Sequence, residues 1–302
     1  MARITRDRRP VRRGSASLIS GTTRMLGVIG DPVAHTASPA MHNAALAATG
    51  LDYVYAAFHV APAALPEALA GMRALEFAGL NVTVPHKQAV MHHLDEISVE
   101  ATAIGAVNTI ICREGRLAGH NTDAFGIIQS LKTDGGLQSL PSKVALLGAG
   151  GAARAILYAL LAQDEVTEIL LLNRTVEKAE ALAGDLDGQG KVQVASLAET
   201  SGLAEAGLLI NSTSIGMHPH EDDSPLADPS CLHDRMLVAD IVYNPLETVL
   251  MRQAATVGAR SINGLGMLAW QGARSFEIWT GVQPPVAAMV AAALARFGEA
   301  NT

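Results

Sequence analysis

Two short polar segments carry a lysine and an aspartate of the types that alcohol oxidation needs: Asn81-Val-Thr-Val-Pro-His-Lys87 and Gly119-His-Asn-Thr-Asp123. A carbon that gives up hydride from an alcohol must also lose its hydroxyl proton. A lysine ammonium stabilises the developing alkoxide, and a carboxylate beside it keeps that ammonium oriented. Strand alternation sends Asn81 and Thr83 to one face, with Lys87 emerging just past Pro85. A third segment, Ala34-His-Thr-Ala-Ser-Pro39, places Thr36 and Ser38 two residues apart, where an extended loop lets both hydroxyls bind one anion. A fourth, Gly105-Ala-Val-Asn108-Thr109, adds an amide. Read singly, each has a plainer role: Lys87 is a solvated lysine, Asp123 an N-cap, Ser38 a cap before Pro39. Their joint placement where parallel strands end is what points to a ligand crevice.

The partner chemistry lies downstream. Lys143-Val-Ala-Leu-Leu-Gly-Ala-Gly-Gly-Ala-Ala-Arg154 sets Gly148, Gly150 and Ala153 in G-x-G-x-x-A spacing, after a strand and opening a helix, with Gly151 and Ala152 in the turn. Such a turn lets backbone amides and a helix N-terminus approach a pyrophosphate. The next strand ends in Asn173-Arg174-Thr175, with no carboxylate for the ribose 2′-hydroxyl of NAD. Arg174 offers a forked cation for a 2′-phosphate and Thr175 a hydroxyl, so NADP is the expected cofactor. The same three residues also read as a polar helix cap, and both readings can hold.

These segments must be positioned by alternating strands and helices. Apolar runs at Met25 to Ile29, Tyr53 to Val60 and Gly79 to Val84 read as strands, with helices over Pro39 to Thr49 and Leu65 to Leu75 between them. Ile110 to Cys112 and Leu117 to Gly119 read as a hairpin about Glu114-Gly115. A helix over Ala124 to Lys132 precedes a second series: strands Val144 to Leu147, Glu168 to Leu172, Leu208 to Asn211 and Met236 to Ile241, helices Ala152 to Leu161 and Val176 to Leu182. Two helical stretches, Met267 to Ile278 and Pro285 to Arg296, have no strands of their own and are expected to return to the first domain. The fold class is α/β: a substrate domain of residues 25–123 and 264–302, and a Rossmann-type, doubly wound NADP-binding domain of residues 124–263.

Bulk properties narrow the class. With 302 residues, 49% hydrophobic and 17% charged, the chain can bury two medium cores. A net charge of -7 argues against a nucleic-acid groove, and no apolar stretch is long enough to span a bilayer. Residues 1–24 differ, with seven arginines against Asp7; they read as a disordered basic tail, or alternatively as an Arg-rich transit peptide. Cys112 and Cys231 lack C-x-x-C spacing, which fits a reducing cytoplasm. His218-Pro-His220 and His92-His93 lack the spacing of a closed metal site, so no metal is expected.

Taken in order, Gly30-Asp-Pro-Val-Ala-His-Thr-Ala-Ser-Pro-Ala-Met-His-Asn43, the segments ending at Lys87, Thr109 and Asp123, the glycine loop, Asn173-Arg-Thr175, Ile210-Asn-Ser-Thr-Ser-Ile-Gly-Met217, Asp240-Ile-Val-Tyr-Asn-Pro245 and Asn263-Gly-Leu-Gly-Met-Leu-Ala-Trp-Gln271 resemble the shikimate/quinate dehydrogenase family. The likeness runs from about Met25 to the end. It implies reversible NADP-dependent reduction of 3-dehydroshikimate to shikimate, a step towards aromatic amino acids, with Lys87 and Asp123 as the catalytic pair at the ring hydroxyl. It also implies that Asn108, Thr83 and Gln271 line the ring, that Thr36 and Ser38 hold the carboxylate and that Tyr243 closes the site. Met217, Gly264 and Met267 would line the nicotinamide pocket. Thr36 departs from the commonest pattern, which has serine there, so a preference for quinate is the nearest alternative. A non-catalytic NADP-binding sensor is the alternative from another class. A small-molecule substrate is the expected partner and a homodimer the candidate assembly.

Overall fold

The computed structural model describes residues 19–187 and 190–298. Residues 1–18 of the expected basic tail lie outside them. The end of that segment is built into the fold, where Thr22 and Thr23 donate to the Asp52 carboxylate at 2.9 and 2.7 Å and Arg24 begins the first strand.

β1 (Arg24–Gly30), α1 (Ser38–Thr49), β2 (Tyr53–His59), α2 (Leu65–Ala74) and β3 (Gly79–Val82) form a parallel unit with β1 in the middle. β1 and β3 are buried on both faces, which is why their sequences do not alternate; the polar exceptions are Arg24 at the exposed start of β1 and the hydrogen-bonded Asn81 in β3. The strand expected to reach Val84 stops at Val82. The Thr83 carbonyl instead accepts from His86 N at 2.9 Å, turning the chain at Pro85. β4 (Glu96–Ile97), α3 (Val99–Ile104), β5 (Thr109–Arg113) and β6 (Arg116–His120) complete the sheet in the order β2-β1-β3-β5-β6-β4. β5 runs antiparallel to both neighbours, so the sheet is mixed. The β5–β6 hairpin turns through Glu114 and Gly115 at φ 52° and 75°, the left-handed pair that matches strand twist.

α4 (Asp123–Thr133) leads into β7 (Lys143–Leu147), α5 (Gly151–Leu161), β8 (Glu168–Asn173), α6 (Val176–Leu186), β9 (Val192–Ser196), β10 (Leu208–Asn211), β11 (Leu237–Asp240), α7 (Val249–Thr256) and β12 (Arg260–Ile262). These strands form a parallel sheet in the order β12-β11-β10-β7-β8-β9. The chain goes one way from β7 and returns to its other side at β10, leaving a crevice at their carboxyl ends. The edge strands β9 and β12 are not expected from the sequence, because half-buried three- to five-residue edges carry little hydrophobic pattern.

α8 (Leu265–Thr280) and α9 (Val286–Gly298) close the chain. α9 lies on α1, as a helix returning to the first unit should. α8 does more: Phe276 and Trp279 enter the core of the first sheet, while Met267 enters that of the second. One rigid helix therefore joins both cores. Among the described residues, no helix is long and apolar enough to cross a membrane.

Candidate active site

Backbone bonds bring the polar segments together before any side chain acts. Val82 N donates to the Asn108 carbonyl and Val107 N to the Lys87 carbonyl, both at 2.8 Å, so the β3 turn is held against the segment entering β5. Asp123 opens α4 next to them. Lys87 Nζ donates to Asp123 Oδ2 at 2.6 Å, with the lysine side chain 15% and the aspartate 6% exposed. Asn108 Nδ2 donates to the other oxygen, Asp123 Oδ1, at 2.8 Å. Thr122 N and Oγ1 both donate to Asn108 Oδ1 (2.8 and 3.1 Å), and Asn121 Oδ1 accepts from Asp123 N at 3.0 Å. Such dense hydrogen bonding is what a nearly buried ion pair requires, since each unsatisfied polar atom there would be costly. Gln271, on α8, completes the group with Oε1 3.4 Å from Asn108 Nδ2.

The hydroxyl pair sits at the start of α1, where Thr36 Oγ1 donates to Ser38 Oγ at 3.1 Å and accepts from Ser38 N at 3.2 Å. Behind Ser38, the buried Tyr55 hydroxyl donates to Asn81 Oδ1 at 2.7 Å. Burial pushes that phenol well above its usual range, and the Ser38 hydroxyl opposes the shift. Asn81 Nδ2 donates to the Asn108 carbonyl, Thr109 Oγ1 and Ser275 Oγ, linking the hydroxyl loop to the amide and the aspartate. Thr83 makes no such bond; its methyl lies where a side chain on Gly30 would stand.

The glycine loop faces this cluster from the second sheet. Gly148 adopts φ +106° with Ser212 Oγ 2.7 Å from where a Cβ would be, so only glycine fits there. Gly150 has open space on the corresponding side, with no atom within 4 Å. A Cβ on Gly151 would lie 3.6 Å from Lys87 Cδ, which sets the lysine stem against the N-terminus of α5. Arg174 is exposed at the end of β8 and has no ion-pair partner among the described residues. Thr175 precedes α6 but its side chain makes no capping bond. The capping reading of these residues is therefore the weaker one, and a free loop, a helix N-terminus and an unpaired cation together fit a phosphorylated dinucleotide. His35, in the loop before α1, and His218, in the segment after β10, meet edge to face with ring centroids 5.9 Å apart.

The remaining candidates divide. Met217 is exposed, whereas Met267 is 7% exposed and packed in the core of the second sheet. Gly264 is buried with its α-carbon against the end of β11: a Cβ would lie 1.9 Å from the Ile241 carbonyl oxygen. Tyr243 leans on Phe297 of α9, with ring centroids 5.5 Å apart. Sequence reading passes over Tyr55, Thr122 and Ser275 as site-builders. Tyr55 lies in an apolar strand and Ser275 in an amphipathic helix, and neither has a motif; only their shared face on Asn81 and Asn108 reveals them. Asp240 holds the loop after β11, its carboxylate accepting from Asn211, Val242 N and Thr248.

Comparison with known proteins gives the same answer from the whole chain. Residues 28–110 match the model of the shikimate dehydrogenase substrate binding domain, 133–242 that of shikimate/quinate 5-dehydrogenase, and 264–294 that of the shikimate 5′-dehydrogenase C-terminal domain. A shikimate dehydrogenase (NADP(+)) from Carboxydothermus hydrogenoformans is 45% identical over 273 residues, 90% of this chain and 96% of the relative. The crystal structure of a shikimate dehydrogenase in complex with NADP+ superposes with a TM-score of 0.87 at 43% identity, covering 93% of this chain and 98% of that one. The Thermus thermophilus shikimate 5-dehydrogenase in complex with NADP(H) and shikimate gives 0.81 at 40% identity, covering 90% and 99%. Motifs, two-sheet architecture and near full-length similarity agree: this chain belongs to the shikimate dehydrogenase family.

Proposed function

We propose that the chain catalyses reversible, NADP-dependent interconversion of shikimate and 3-dehydroshikimate, with Lys87 and Asp123 handling the proton of the ring hydroxyl. The observation that carries this is the 2.6 Å Lys87–Asp123 pair set directly against Gly151 of the glycine loop. Gly148, Gly150, Gly151 and Ala152 would hold the pyrophosphate, and Asn173, Arg174 and Thr175 the adenosine end, with Arg174 on the 2′-phosphate. NADP, when bound, supplies the hydride acceptor. As the carbinol becomes a ketone, the Lys87–Asp123 pair takes the hydroxyl proton, and it returns that proton in the reverse direction. Asn108, anchored by Thr122, fixes the carboxylate that orients the lysine and offers its amide edge to the ring hydroxyls, with Thr83 and Gln271 alongside. Thr36 and Ser38 bind the ring carboxylate, and Tyr243 shuts the site from the α9 side.

Supporting a reducing cytoplasm as its location, Cys112 and Cys231 are both buried and unpaired. A homodimer is the candidate assembly, which sedimentation velocity checks. The reaction is tested by assaying the unmodified protein and Lys87→Ala on shikimate and quinate with NADP and NAD. Shikimate with NADP should be the best pair for the unmodified protein. Lys87→Ala should lose about 10²- to 10⁴-fold in kcat while binding NADP unchanged. Preference for quinate with NAD would overturn the substrate assignment. NADP binding without turnover of either acid would favour a sensor.

A further inference from the structure

We propose that a second cavity, beneath the Asn121-Thr122 step that leads into Asp123, is a binding site for a zwitterionic α-amino acid with an aromatic or branched apolar side chain. The cavity is about 500 Å³ and opens between α3, β6, α4, α5 and α8. Neither Lys87 nor Asp123 lines it, so it is distinct from the reacting centre, yet Asn121 and Thr122 form part of its wall.

Its charges define the ligand. Glu100 and Arg274 both line the cavity and feel one another electrostatically, yet no ion pair joins them; the Arg274 guanidinium pairs with Glu277 on its own helix. Both side chains are exposed at the rim of the cavity, where Glu100 presents its carboxylate and Arg274 the edge of its guanidinium that Glu277 does not occupy. A plain carboxylate entering it would meet Glu100, and a plain amine would meet Arg274. An α-amino acid presents an ammonium to the first and a carboxylate to the second, each a charge-assisted hydrogen bond. The wall also carries the half-buried side chains of His120, Gln129 and Tyr158, whose polar atoms reach solvent and make no hydrogen bond among the described residues. Burial lowers the His120 imidazole, with Arg274 and Arg113 adding to the shift, so at neutral pH it offers one donor and one acceptor rather than a competing cation. The apolar part of the wall is Phe125, Ile128 and Ile278, with Phe125 backed edge-on by Trp270, 6.4 Å between centroids.

Occupancy would be felt at the active site. Asn121 Oδ1 accepts from Asp123 N, and Thr122 donates twice to Asn108 Oδ1, so the wall of the cavity is also the support of the catalytic carboxylate. Any change in shikimate affinity on filling the cavity must be matched by an equal change in the affinity of its ligand.

Titration calorimetry on the full chain, with and without saturating shikimate, tests the site using L-phenylalanine as probe. Its two half-molecules, 3-phenylpropionate and 2-phenylethylamine, and the variants Arg274→Met and Glu100→Gln complete the set. L-Phenylalanine should bind saturably at one site in both conditions. Loss of one charge from probe or protein should weaken binding at least about tenfold, as removal of a charge-assisted hydrogen bond does. No saturable heat up to about 10 mM, displacement by shikimate, or half-molecules binding as tightly as the amino acid would each overturn the proposal. The half-molecule comparison needs only the unmodified protein, so it decides the matter even if a variant does not fold.

Discussion

His42 is the residue whose chemistry the proposed reaction does not use, and it illustrates what burial does to a titratable group. It lies wholly inside the first core, stacked on Tyr55 with ring centroids 4.3 Å apart and tilted against Trp279, and neither ring nitrogen has a hydrogen-bond partner. Burial alone lowers its imidazole to about 3 from 6.5. Between those values the unfolded chain takes up a proton that the folded chain refuses, so this stability is complete above pH 6.5 and is lost as pH falls towards 3. By that linkage the fold should be about 2 kcal/mol less stable at pH 5 than at pH 8 on account of this one residue. His42→Phe, which keeps the stack, should flatten that slope in urea titrations at the two pH values; an unchanged slope would assign the pH dependence to other groups. Lys87 shows the paired case at the same scale: its Nζ donates to one oxygen of Asp123 at 2.6 Å, Asn108 donates to the other, and Thr122 anchors Asn108.

At the scale of elements, joints decide more than strands. The start of α8 meets the end of β11 so closely that a single methyl at Gly264 would stand 1.9 Å from the Ile241 carbonyl oxygen, a backbone atom that cannot swing away. Gly264→Ala should therefore destabilise the protein by about 1–3 kcal/mol or more, as overpacking does, and should disturb Gln271 further along the same helix. Gly71, inside α2, is the control: nothing lies within 4 Å of its missing Cβ, and Gly71→Ala should stabilise by roughly 0.5–1 kcal/mol through helix propensity. Urea midpoints for the two variants should move in opposite directions. Helices and central strands of this kind are readable from the sequence, since α1, α4, α5 and β7 combine a regular apolar pattern with a Pro, Asp or Gly at the correct end. Edge strands β9 and β12, the short helix α3 and α7 are not, because half-exposed or brief elements bury too little to leave a periodic signature.

Across the whole molecule, two sheets are joined by helices that belong to both. Arg154, one turn into α5 from the glycine loop, donates to the Ile104 carbonyl at the end of α3 and pairs with Asp185 of α6, so the helix that would carry the pyrophosphate also holds the segment leading to Asn108. Cofactor choice is expected to be set at the end of β8, the strand beside β7. Arg174→Leu should lower kcat/KM for NADP by about 10- to 100-fold, the worth of a charge-assisted hydrogen bond to phosphate, while leaving NAD nearly unaffected; equal losses with both cofactors would mean that Arg174 does not read the 2′-phosphate. The sequence by itself determined the chemistry available: a glycine turn after a strand, a cation in place of the ribose-binding acid, a lysine and an aspartate in segments ending parallel strands. These are local, and their residue types restrict backbone and charge wherever they fold. Only the tertiary structure decided which of them meet. Asp123 would be no more than a solvated cap had the β3 turn, the start of α4 and α8 not brought Lys87, Asn108 and Gln271 to it, and it is α8 that carries Met267 into the core of the second sheet. Contacts between residues 36 and 163 positions apart, such as Lys87 with Asp123 and Asn108 with Gln271, depend on the packing of whole layers, and no local pattern encodes that packing.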